Sequence, residues 1–128
     1  MKSQTLLLLA FFLLAGKISI AQNMVGNWKG TSVCQIKNSS CHDEIVVYHI
    51  SKAGESNSYL VDAGKIIDGK EDDMGVLKFT FDAKKMILFL IDSVHDVKWE
   101  FKVNGKEMHG TLTSKGKLSR IVELKRED

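Results

Sequence analysis

The chain has 128 residues, enough for one small domain, and contains no proline. Its formal charge of +2 is carried by Lys2 and Lys17, near the N-terminus, and the rest holds 16 basic and 16 acidic side chains. That balance removes the electrostatic reason to expect a nucleic-acid partner.

The N-terminus has the layout of a secretory signal peptide. Lys2 supplies the positive start, Thr5 to Ala15 is an almost unbroken apolar run, and small residues end in Ser19-Ile20-Ala21. A bilayer span needs ~20 apolar residues, so the run is too short to cross one. An uncleaved anchor is the alternative. Residues 1–21 are expected to be removed, leaving 22–128 as one exported domain, soluble in the periplasm or outside the cell. No cysteine lies near the cleavage region to carry a lipid.

A domain this small buries only about two-thirds of its surface, so a covalent staple helps. Cys34 and Cys41 are the only cysteines, and in an exported chain they read as a disulfide. A metal site is the weaker alternative. The pair plus His42 supplies three ligands, with no evident fourth.

Beyond residue 24, turn signals recur about every 8–12 residues and the segments between them alternate. A first strand over 25–34 puts Gly26, Trp28, Gly30 and Ser32 on one face. The next, 44–51, is apolar on both faces, so parity does not orient it. The third, 58–67, carries Tyr59, Val61 and Ala63, with a bulge or bend expected at Gly64. The fourth, 74–81, turns Leu77, Phe79 and Phe81 inward. After a tight turn at Asp82-Ala83-Lys84, the strand over 85–91, opening on Lys85, is again apolar on both faces. The strand over 97–103 points Val97, Trp99, Phe101 and Val103 inward. Asn104-Gly105 offers the positive φ angles of a two-residue hairpin. The last two strands carry Met108, Gly110 and Leu112, then Leu118, Arg120, Val122 and Leu124.

No crossover between these strands is long enough for a parallel pair. An all-β, eight-stranded antiparallel up-and-down barrel is therefore expected, with a β-sandwich as the alternative. Arg120 favours the barrel. It shares the apolar parity of the last strand, and an inward charge needs a partner. In an up-and-down barrel the first and last strands are neighbours, so Arg120 is expected to stack on Trp28. A bulge that turns Arg120 outward is the competing reading.

Gly26-Asn27-Trp28 on the first strand, with an arginine on the last, resembles the calycin pattern, most closely the lipocalins. In that family a G-x-W motif sits at the closed end of an eight-stranded barrel and a late arginine packs over the tryptophan. Lipocalins are usually longer and carry a helix after the barrel. This sequence reaches Asp128 soon after its last strand, so a barrel with no C-terminal helix is expected. A lipocalin-like or fatty-acid-binding-like barrel implies carriage of a small apolar molecule.

The residues expected to meet such a ligand are Tyr59, Val61, Leu77, Phe79, Phe81, Trp99, Phe101, Met108 and Leu112, with Tyr48 or Tyr59 as a polar handle. Small residues on the same parity, Gly30, Ser32, Ala63 and Gly110, leave room for a slot. If Trp28 marks the closed end, loops over 35–43, 68–73, 92–96 and 114–117 form the open rim. That rim collects Asp43, Asp68, Glu71, Asp72, Asp73, Asp92 and Asp96 beside His42 and His95. It reads as an entrance that favours cations or a loose divalent-ion site, or simply as solvated turns. One face of the strand over 85–91 must look outward, either Met86, Leu88 and Leu90 or Ile87, Phe89 and Ile91, and offers a weak homodimer contact.

Signals for an enzyme are poor: there is no nucleophile elbow, no histidine pair at metal spacing on one strand and no phosphate loop. No cofactor is implied. Two functions stay open. One is a binding module for a small, mainly apolar ligand. The other is a protein-interaction or inhibitor domain acting through its rim loops around a filled barrel. An internal cavity separates them.

Overall fold

Alternating strands with apolar inner faces bury those faces by curling the sheet until its edges meet. The computed structural model describes residues 24–127, and the segment 1–21 expected to be a signal peptide lies outside them. Eight strands follow in chain order: β1 (Gly26–Cys34), β2 (Glu44–Lys52), β3 (Ser58–Ile67), β4 (Lys70–Asp82), β5 (Ile87–Asp92), β6 (Val97–Asn104), β7 (Glu107–Ser114) and β8 (Lys117–Glu127). Each pairs antiparallel with the next, and β8 closes on β1, so the sheet is a closed up-and-down barrel and not a sandwich.

The two ambiguous strands are oriented by packing. β2 sends Val46, Tyr48 and Ile50 inward. β5 sends Leu88 inward at 1% exposure and leaves Ile91 61% exposed. The inner faces meet most tightly at the end where β1 begins. Trp28 is fully buried there, and its indole N–H donates to the Met24 carbonyl at 3.1 Å. Ile50, Val103, Met108, Val122 and Leu124 belong to the same buried cluster.

Five details depart from the sequence reading. β5 begins at Ile87 and not at Lys85, because the turn after β4 runs on through Met86, whose φ is 55°. β4 begins at Lys70, because Asp68 and Gly69 both take positive φ (51° and 77°) and turn the chain in two residues. Residues 70–73 therefore extend the ladder and are not a loop. The irregularity expected at Gly64 is present, but the extra residue is across the ladder. Ala63 faces Gly75 and Gly64 faces Asp73, which leaves Met74 bulged, with Gly75 at φ 102°. The hairpin after β6 turns on Gly105-Lys106, not Asn104-Gly105. Asn104 is still paired to Glu107, and of the two turn residues only Gly105 has positive φ, at 58°. Finally, the β7–β8 ladder slips between Leu112 and Thr113, so Arg120 faces Leu112 while Leu118 faces Thr113 and stays 42% exposed. Leu118 thereby leaves the inner face.

Candidate functional site

The antiparallel register of β1 and β8 fixes where each arginine goes. Trp28 pairs with Arg126, and Arg120 pairs with Cys34. Six residues of strand separate the two positions, roughly 20 Å. The expected stacking of Arg120 on Trp28 is therefore wrong, although Arg120 does face inward. The arginine at the closed end is Arg126, whose guanidinium lies beside Gly26: a Cβ placed there would be 3.2 Å from its Nη2. Parity alone could not choose between positions 120 and 126, since both lie on one face of one strand.

Arg120 instead lines a cavity. Toward the open end the interior is not filled, and a cup of about 300 Å³ remains. Its polar wall is built from Ser32, Glu44, Tyr48 and Arg120 on β1, β2 and β8. The apolar wall is Val46, Val61, Ala63, Met74, Gly75, Leu77, Phe79, Trp99 and Leu112. Arg120 Nη2 donates to Glu44 Oε1 at 3.2 Å and to the Cys41 sulfur at 3.4 Å. Its Nη1 donates to the Ser32 hydroxyl at 3.1 Å and the Ser32 carbonyl at 3.3 Å. An inward charge is tolerated here because these partners replace water. Burial raises the Tyr48 pKa well above its ordinary 10.0, Glu44 raises it further, and Arg120 offsets part of the rise. The phenol is thus a neutral hydroxyl on the cup wall.

Six of the expected ligand residues line the cup: Tyr48, Val61, Leu77, Phe79, Trp99 and Leu112. The other four, Tyr59, Phe81, Phe101 and Met108, belong to the packed core instead. Tyr59 meets Phe81 edge-on at 6.2 Å, and Phe101 meets Tyr48 edge-on at 5.9 Å and stacks on Trp99 at 6.1 Å. Two of the four small residues also fail to leave room. A Cβ on Gly110 would lie 2.2 Å from Phe101 Cδ1, so the ring already occupies that space. A Cβ on Gly30 would strike the Glu123 backbone on β8. Ser32 and Ala63 do face the cup. Glu44 and Met74 were not anticipated. Glu44 shares the parity of Val46 and Tyr48, which would have placed it inside once β2 was oriented.

The rim is assembled around a Cys34–Cys41 disulfide, with Cα atoms 5.9 Å apart. Most of its acids are engaged locally. Asp43 accepts from the Cys34 N–H at 2.9 Å, and Asp73 from the Gly75 N–H at 2.9 Å. Glu71 lies on the outside of β4, where it meets His49 at 2.7 Å. His95 donates to Asp92 from its ring and its backbone, which holds that carboxyl below its usual range. Among the described residues no group of three or more His, Cys, Asp or Glu side chains is placed to hold a metal ion.

No family model matches the sequence, and no curated protein matches it. Among solved structures the chain is similar to the siderocalin Ex-FABP, described as functioning through dual ligand specificities. The TM-score is 0.51 at 13% identity, covering 82% of this chain and 71% of that one. Together with the closed barrel, this likeness shows a lipocalin-like, calycin-type fold.

Proposed function

We propose that the protein is an exported carrier that holds a small, mainly apolar molecule in the cup. The observation that carries this reading is the cavity itself: about 300 Å³ of interior, apolar on most sides, with one polar wall. A pocket of that size lies at the lower end of the range for small-molecule sites. Because Arg120 is already neutralised by Glu44, the polar wall favours a neutral or zwitterionic end over a free carboxylate. The likeness to a siderocalin supports a small ligand in general. The rim-loop alternative called for a filled barrel, and the open half of this one is not filled.

Trp99 lines the cup while Trp28 is fully buried at the closed end, so the two fluorophores report separately. Titration with a broad panel of apolar molecules is expected to give saturable quenching, and Trp99→Phe to remove most of it. A panel with no saturable quenching overturns the carrier reading and returns the function to the rim loops. Export is tested by intact mass: the secreted protein should begin near Gln22, and a mature chain that keeps residues 1–20 would refute cleavage.

A further inference from the structure

The barrel wall is incomplete on one side of the cup. β4 and β5 are joined only at Thr80–Phe89, Phe81–Leu88 and Asp82–Ile87. β4 continues from Phe79 back to Lys70 on the β3 side, while β5 ends at Asp92. A continued ladder would set Phe79, Lys78 and Leu77 against Leu90, Ile91 and Asp92, and those pairs are not made. The exposures record the opening. Leu77 and Met74 line the cup yet are 41% and 44% exposed, whereas Val61, the partner of Leu77 on β3, and Val46 on β2 are 2% and 1% exposed. The outer lips are also apolar, with Val76 on β4 and Ile91 on β5 both exposed.

An added peptide strand does not suit this edge. The Met74 bulge, the positive φ of Gly75 and the charges of Asp72, Asp73 and Lys78 all interrupt strand pairing. An apolar slot that continues an apolar cup suits a chain without backbone hydrogen bonds to make. The polar wall has the complementary placement: in an eight-stranded ring β8, which carries Arg120, lies opposite β4.

We propose that the notch between β4 and β5 is a binding surface for a straight alkyl chain. The ligand is then an amphiphile whose polar end lies against Arg120 and Glu44 and whose chain leaves sideways past Met74 and Leu77. This deepens the carrier reading and rests on it.

The test uses straight-chain alcohols, from 1-hexanol to 1-tetradecanol, displacing the fluorophore N-phenyl-1-naphthylamine. In the wild-type protein affinity is expected to rise about two- to fourfold per added methylene up to the longest chain. Val76→Asp and, separately, Ile91→Asp, on the outer lips of the notch and outside the cup lining, should leave 1-hexanol within about twofold and flatten the rise beyond 1-octanol. Both side chains are exposed, so a charge there is compatible with folding. Near-UV circular dichroism verifies each variant, and either one alone decides the matter. Val94→Asp, on the rim turn where Val94 is 87% exposed, should leave the rise unchanged. A rise that is flat beyond 1-octanol in the wild type, or that survives in the folded lip variants, overturns the notch while leaving the cup intact. Failure of the fluorophore and every alcohol to bind overturns the cup as a ligand site, and the notch with it.

Discussion

The two halves of this barrel are made from the same eight strands and differ in what meets across the middle. In the closed half, Trp28, Met24, Met108 and Leu124 interdigitate at 2% exposure or less. In the open half, the inner faces of the same strands surround a cup, and polar side chains enter the wall. The difference teaches that alternation decides which side chains face in, while their sizes at each level decide whether they touch. Gly110 shows how little small residues say by themselves, since Phe101 fills the space it leaves.

The sharpest way to break this comparison is one substitution made in both halves. Leu124→Ala, in the packed half, should cost about 2–5 kcal/mol by urea unfolding, because its neighbours cannot collapse into the cavity. Leu112→Ala, on the half-buried cup wall, should cost less than about 1.5 kcal/mol, since it enlarges a space that already exists. Equal costs would mean that the cup is closed in solution.

Reduction of Cys34–Cys41 tests the rim. The loop it closes is short, so the loss should be about 2 kcal/mol in the same unfolding measurement. Alkylation of the unreduced, folded protein should add no mass; labelling of both thiols would show an unstapled rim.

The polar wall is probed by Arg120→Ala, expected to cost about 1–2 kcal/mol by leaving Glu44 without its partner on a partly buried surface. The double variant Arg120→Met with Glu44→Leu should recover most of that stability, because it removes both charges together. A neutral single variant would mean that the pair is solvated and the wall is not polar in the sense argued above.

The smallest effect belongs to the solvated rim. His95 hydrogen bonds depress the Asp92 pKa below its ordinary 3.8. A carboxylate with a lowered folded pKa stabilises the fold above its unfolded value, and that contribution is lost as pH falls through the folded pKa. Asp92→Asn should therefore lower stability slightly at neutral pH, where the contribution is fully present, and flatten the acid side of the profile, so that variant and wild type converge as pH falls below about 4. Unchanged acid sensitivity would show that the turn does not contribute.

Much of the architecture was readable along the chain. The period-two alternation of β4, β6 and β7, the short turns between strands and the paired cysteines each carry local information, because a side chain's face and a turn's φ angles are set by near neighbours. Eight such strands without a crossover leave few ways to bury their inner faces. The fold class and six cup-lining positions were therefore legible, as was the inward direction of Arg120. The faces of β2 and β5 were not, because apolar residues on both parities give no local bias and only packing breaks the tie. Nor was the level of Arg120. Its distance from Trp28 depends on the β1–β8 register, a pairing between residues about 90 positions apart that no local pattern encodes. The bulges at Met74 and before Arg120 shift side chains by one place after the register is set, and the gap beside β4 arises from two strands ending at different heights. A sequence specifies each strand; where strands stop relative to one another, and so whether the barrel holds a hollow, is decided only when they meet.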